Sequence, residues 1–239
     1  MYGWRLRIGF ICPSSTVDTP GYEFYRMAPN GVGIVATIMG IRCLIDADIG
    51  RAMGELERVA KEYEKNKVDI VVLGGSPPVI LGGAESEGTL IETMEKASGT
   101  MATTSQTGAV EALRALNVAK VGVASPFDDH QNNKLKEYLV TKGFEVPVIK
   151  GGNVPLEDIS LVSNEDSYRA AREVNDEGRE KIEGIYLPCA QWPTIENIEY
   201  LERDTGHPVV TSLQAMLWHC MKKVGIKDKM EGYGKLFLV

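Results

Sequence analysis

The 239-residue sequence contains no apolar run approaching the roughly 18–20 residues that span a bilayer. Its opening, MYGWRLRIGF, has neither a long apolar stretch nor a small-residue cleavage motif, so a cytoplasmic protein is expected and a membrane partner is not. Histidine is scarce. His130, His207 and His219 are the only three, and no two stand at i, i+4, which gives a histidine metal centre no support. The four cysteines, Cys12, Cys43, Cys189 and Cys220, form no CxxC pair, and a chain of this length buries enough surface to fold without disulfide staples. Reduced thiols are expected. Basic residues are too few to balance the acidic ones, and a net charge of −7 repels phosphate backbones, so nucleic acid is a poor partner. No GxSxG elbow is present for serine hydrolysis. GGSPPVILGG lacks the GK[ST] ending of a phosphate loop, and its prolines remove N–H donors. In NGVGIVA no apolar strand precedes the glycines, which argues against a dinucleotide fingerprint.

What is present is the pattern of a packed soluble chain, 44% hydrophobic and 25% charged. Short β-branched runs at 7–11, 33–39, 69–73, 121–124, 145–149 and 184–187 read as strands, several apolar on both faces as buried parallel strands are. Helical patterns occupy 49–65, 88–98, 108–116, 132–142, 166–177 and 194–203. This alternation predicts an α/β fold with mostly parallel sheets.

The chain also resembles itself. IGFICP ending at Pro13 matches VGVASP ending at Pro126, DIVVLGGS matches EGIYLPCA with Gly75 on Cys189, and GTMATTSQTG matches GHPVVTSLQA with Ser105 on Ser212. Three matches in one order, at offsets of 107 to 114 residues, indicate an internal duplication. Two similar lobes follow, the first comprising 1–117 plus the returning 213–239, the second 118–212. Ligands of such sheets bind beyond the carboxyl ends of the strands, so equivalent loops should converge on one interlobe cleft with Gly75 and Cys189 on opposite walls.

Cys189, in YLPCAQWPT, stands at a strand exit ahead of a helix expected near Thr194, where backbone N–H groups can act on a thiol that either donates or accepts a proton. Packing as a buried structural cysteine is the alternative. For Cys43 and Cys220, inside apolar patterns, core packing is the expectation, and Cys12 lies near the proposed cleft without an assigned role. Ser76 has two readings, a carboxylate ligand or a serine satisfying its own turn. The acidic residues around His130 read as a helix N-cap rather than a metal cluster.

Taken together, IGFICPSST, VVLGGS, the TTSQTG…VGVASPF stretch with Asn132 beyond it, GIYLPCAQWPT and the closing GYGKLF resemble the aspartate/glutamate racemase superfamily, in the branch of maleate cis-trans isomerases and arylmalonate decarboxylases. The resemblance implies two pseudo-symmetric Rossmann-like (flavodoxin-like) lobes, an interlobe site, no cofactor and no metal, and a substrate carboxylate held by loop N–H and hydroxyl groups. It also implies one cysteine on each wall for racemases and isomerases. Here only Cys189 matches. Gly75 occupies the other position, as in the decarboxylases, where the remaining thiol protonates an enediolate left when carbon dioxide departs.

Other positions are mixed. Ser76 is followed by Pro77, where the decarboxylase pattern has a second hydroxyl, and Phe127 replaces its tyrosine. Cys189–Ala190–Gln191–Trp192–Pro193 is closer to the isomerase loop, as is Pro13–Ser14–Ser15–Thr16 with Thr16 in place of asparagine. The expectation is a cofactor-independent lyase acting on a small malonate-like dicarboxylate. Cys189 would be the proton donor, and Pro13, Ser14, Thr16, Gly75, Ser76, Phe127, Ala190 and Gln191 would contact substrate. A maleate isomerase or racemase using Cys12 or water, and a non-catalytic carboxylate-binding protein, are the alternatives. Oligomeric state is left open.

Overall fold

The first strand is apolar over most of its length, with one glycine at Gly9, and its backbone pairs on both sides. In the computed structural model, which describes residues 2–239, β1 (Leu6–Ser14) lies at the centre of a four-stranded parallel sheet. The first half continues through α1 (Thr19–Met27), β2 (Val32–Ile41), α2 (Asp46–Met53), α3 (Leu56–Lys61), β3 (Ile70–Leu73), α4 (Pro77–Ile80), α5 (Ser86–Ser98), β4 (Met101–Thr104) and α6 (Ser105–Ala115). The second half contains β5 (Lys120–Ser125), α7 (Asp129–Thr141), β6 (Glu145–Gly151), α8 (Asn164–Gly178), β7 (Gly184–Leu187), α9 (Ile198–Thr205), β8 (Val209–Thr211) and α10 (Ser212–Lys223). Strand orders are β2-β1-β3-β4 and β6-β5-β7-β8, all parallel, so one topology is used twice. The expected α/β fold with two similar lobes is what the chain forms.

Three local readings change. Strands β4 and β8 are absent from the predicted six: each runs straight into a helix at Ser105 or Ser212, with no turn residues between to mark its end. The helix expected over 49–65 is broken at Gly54, which caps α2, and α3 starts afresh at Leu56. Helix α1, unforeseen among Pro20 and Gly21, takes proline in its first turn, where the missing N–H costs nothing. The repeated ends are informative: Ser105 and Ser212 each open a helix, behind Thr104, whose hydroxyl oxygen accepts the Thr107 N–H, and Thr211, whose N–H donates to Gln214 Oε1. Among the described residues no helix is long and apolar enough to cross a membrane.

The halves are joined by buried polar groups as well as apolar packing. Glu87 of α5 is 4% exposed. Its Oε1 accepts the hydroxyls of Thr104 (2.6 Å) and Thr107 (2.8 Å), and its Oε2 accepts the Tyr138 hydroxyl (2.9 Å) and pairs with Lys142 Nζ (2.7 Å) from the far half. Burial pushes this carboxyl up, but the Lys142 ammonium and the three hydroxyls outweigh burial, leaving it below the usual range. Helix α10, from the end of the chain, packs against α6 and α1. A carboxyl held below its ordinary value of 4.5 stabilises the fold above that pH, and the contribution disappears as pH falls through the depressed value. Glu87→Gln should therefore cost about 3 kcal/mol in urea unfolding at pH 7, and progressively less as the pH is lowered below 4.5.

Candidate active site

Each strand ends in a loop whose backbone must turn sharply toward the partner sheet. At Gly75 after β3 and at Cys189 after β7 it does so in the left-handed region, with φ of 76° and 81°. Glycine tolerates this freely; a cysteine does not, and a non-glycine residue held there is a strained position of the kind that gathers at functional sites. The pair matched by self-comparison thus shares one unusual backbone conformation, which confirms their structural equivalence.

Both residues line one cavity of about 460 Å³, counting its open mouth. Of the sequence-predicted site residues, Pro13, Ser14, Gly75, Ser76, Phe127, Cys189, Ala190 and Gln191 all line it. Thr16 does not line it. It is exposed on an adjoining cleft, and its backbone carbonyl accepts Gln191 Nε2 at 2.8 Å. The other walls, Phe10, Pro20, Ile41, Leu44, Pro77, Pro78 and Leu156, are apolar. No lysine, arginine or histidine among the described residues lines the cavity. An anion there must rely on backbone N–H and hydroxyl groups. Among the described residues, no carbonyl accepts from the N–H of Gly75, Ser76 or Ala190, and a left-handed residue followed by the right-handed Ser76 makes an anion-binding concavity.

The Cys189 thiol is 8% exposed. Burial pushes it up to about 12, the N–H groups of Gln191 and Trp192 act the other way, and Cys12 and Glu23 add to the rise. It is a protonated thiol, suited to giving a proton to a strong base. The helix expected at Thr194 begins instead as a short 3-10 turn, Ile195–Asn197. Opposite, a Cβ added at Gly75 would come 2.8 Å from Pro13 Cγ, so this wall is built around a glycine.

A second thiol is present. Cys12 lines the cavity, donates to the Thr16 carbonyl at 3.7 Å, and is pushed up to about 11 by burial, with Ser14 hydrogen bonds opposing. Ser76 is fully buried, and its hydroxyl donates to Gln106 Oε1 (3.3 Å), which also accepts the Tyr186 hydroxyl (2.7 Å) from the other half. The hydroxyl proton is engaged inside the protein, which leaves the Ser76 N–H and hydroxyl oxygen as its unengaged groups. Phe127 is held by its carbonyl, which accepts Asn132 Nδ2 (3.3 Å), and by its N–H to Ser125 Oγ (3.2 Å).

Among residues outside the site, Cys43 is exposed, against the expectation of core packing, whereas Cys220 is buried as expected. Asp128 caps α7 by accepting the Gln131 N–H, as the acidic residues around His130 suggested. Sequence reasoning missed Gln106, Tyr186 and Glu23. Glu23 had a readable signal: it shares a helix face with Thr19, Phe24 and Met27, a charge on an otherwise buried stripe.

Comparison with known proteins places the fold and the family. Arylmalonate decarboxylase from Bordetella bronchiseptica is 27% identical over 238 residues, covering 96% of this chain and 95% of the relative. A liganded arylmalonate decarboxylase variant, with one glycine changed to cysteine and one cysteine to serine, superposes with a TM-score of 0.91 at 24% identity, over 97% of this chain and 98% of that one. A cysteine-to-serine mutant of Nocardia farcinica maleate cis-trans isomerase, with a covalently bound succinylcysteine intermediate, gives a TM-score of 0.88 at 22% identity, over 97% and 98%. The family model described as arylmalonate decarboxylase matches residues 8–237, and the chain belongs to that family.

Proposed function

We propose that this protein is a cofactor-independent decarboxylase of a small malonate-like dicarboxylate. The observation that carries the reading is the asymmetry of the cavity: a protonated, buried thiol at Cys189 faces a wall whose equivalent position is Gly75. Loss of carbon dioxide needs no base. The bond from the α-carbon to one carboxylate breaks, its electron pair passes into the enediolate of the carboxyl that stays, and the Cys189 S–H gives its proton to the α-carbon. The resulting thiolate regains a proton from solvent. The retained carboxylate would lie against the N–H groups of Gly75, Ser76 and Ala190, with Ser14 and Gln191 beside it. Apolar walls from Pro13, Phe127, Ile41 and Leu44 disfavour a charged carboxylate relative to neutral carbon dioxide, which favours its departure. The succinylcysteine in the isomerase structure supports a four-carbon diacid as the size of ligand for this fold. The division into lobes, 1–117 with 213–239 and 118–212, belongs to the same proposal, supported by α10 lying on α6 and α1.

A second reading, isomerisation or racemisation, is favoured by one observation, the presence of Cys12 in the same cavity. A thiol there would have to serve from β1 rather than from the Gly75 position.

Three measurements decide between these. Carbon dioxide release from substituted malonates should fall at least about 100-fold in Cys189→Ala, the usual range for a lost general acid, and activity surviving the change removes Cys189 from the chemistry. Cys12→Ser should leave that release within a few-fold of the parent; if it instead abolishes conversion of maleate to fumarate by the unmodified protein, the second reading holds. Because burial takes the Cys189 thiol from 9.0 to about 12, the rate should show no alkaline decline between pH 8 and 10. A decline centred near 9 would mean an ordinary thiol. Dicarboxylate binding without any turnover would mark a carboxylate-binding protein.

A further inference from the structure

Glu23 is a carboxyl buried in the seam between the two halves, 3% exposed, on a helix whose earlier residue Pro20 lines the Cys189 cavity. Its Oε1 accepts the N–H groups of Thr194 (2.7 Å) and Ile195 (3.1 Å), at the far end of the Cys189 loop, and its Oε2 is buried with no partner. The same loop is tethered at its middle by Gln191 to the Thr16 carbonyl, and at Pro193 by the Ser167 hydroxyl (2.6 Å). Two of these three tethers come from α1 and the segment that leads into it from β1. A glutamine would accept both N–H bonds without the cost of burying a charge, so the carboxyl supplies something besides the cap.

We propose that Glu23 is a positioning residue for Cys189: ionised, it clamps the end of the Cys189 loop to α1, and its charge holds the proton on the thiol. Its value to catalysis rests on Cys189 being the proton donor, as argued above. The titratable groups around it are Cys189 on the loop, Glu196 on the 3-10 turn, and Asp18 and Tyr22 at the start of its own helix. The α10 residue His219 is engaged with Thr103, and no cation contributes to the Glu23 surroundings. Burial pushes Glu23 up to about 7, the two N–H groups oppose the rise, and Glu196 adds to it. Charge therefore appears on Glu23 as pH rises through 7, and from then on it opposes thiolate formation at Cys189.

Iodoacetamide alkylation of Cys189 in the full chain, followed by peptide mass spectrometry against pH, tests this without turnover. In the unmodified protein the logarithm of the rate should rise with pH below 6, flatten through pH 7 and then resume. Glu23→Gln should give one unbroken line and alkylate up to about tenfold faster at pH 8.5, with Cys220 unchanged. Glu23→Asp, which keeps the charge and shortens the reach, should remain slow; a rise equal to that of Glu23→Gln would mean that loop release alone acts, and would overturn the electrostatic role. A straight line through pH 7 in the unmodified protein overturns the proposal even if Glu23→Gln fails to fold. Loss of carbon dioxide release with these curves intact would count against the decarboxylase reading only.

Discussion

The Glu87 cluster sets the distance at which the two sheets face each other. A carboxylate in α5 is held by Thr104 and Thr107 at the end of one sheet and by Tyr138 and Lys142 of the other half. Burying a charge is costly unless it is paired and its remaining lone pairs are used, and here both oxygens carry two partners each. The geometry is consequently narrow: sliding one half past the other would strand an ion in a region closed to water. Gln106 with Tyr186 repeats the device with neutral groups directly behind Ser76. Apolar packing supplies adhesion between the halves, but these directional bonds decide their register, and the cavity exists because the register is held.

Within that frame the site is asymmetric where the fold is symmetric. Two equivalent turns adopt the left-handed region, one with a glycine and one with a cysteine. Strain at Cys189 aims a thiol into the cavity, while the matching turn offers N–H groups and no side chain. Pro13 closes against Gly75, so the cavity is narrower on that side than a second thiol would require. Among the described residues the cavity has mostly apolar walls and no cation, so its polarity comes from the two turns and from Cys12 and Ser14 of β1.

Much of this was legible beforehand because it depends on local pattern. Strand and helix alternation follows from side-chain periodicity, and the pairing of Gly75 with Cys189 follows from duplicated strands that keep their order. The failures have physical causes as well. β4 and β8 run straight into helices with no turn residues to mark their ends, and α1 was hidden behind Pro20 and Gly21. Cys43 looked like a core residue from its apolar neighbours, yet it falls just beyond the end of β2, where the chain turns outward. Thr16 was placed by motif analogy, and the turn after Ser14 carries its side chain out of the cavity.

The sequence by itself determined the layered α/β architecture, its repetition and the position of one thiol at a strand exit, since these arise from contacts between residues near in the chain or from the repeat itself. Only the tertiary structure decided what surrounds that thiol. Cys12, Glu23 and Gln106 reach the seam from three different elements, and nothing in their local spacing encodes which groups they meet. Protonation of Cys189 is a collective property for the same reason: it depends on burial by both halves and on charges brought near by folding, which no window of sequence contains.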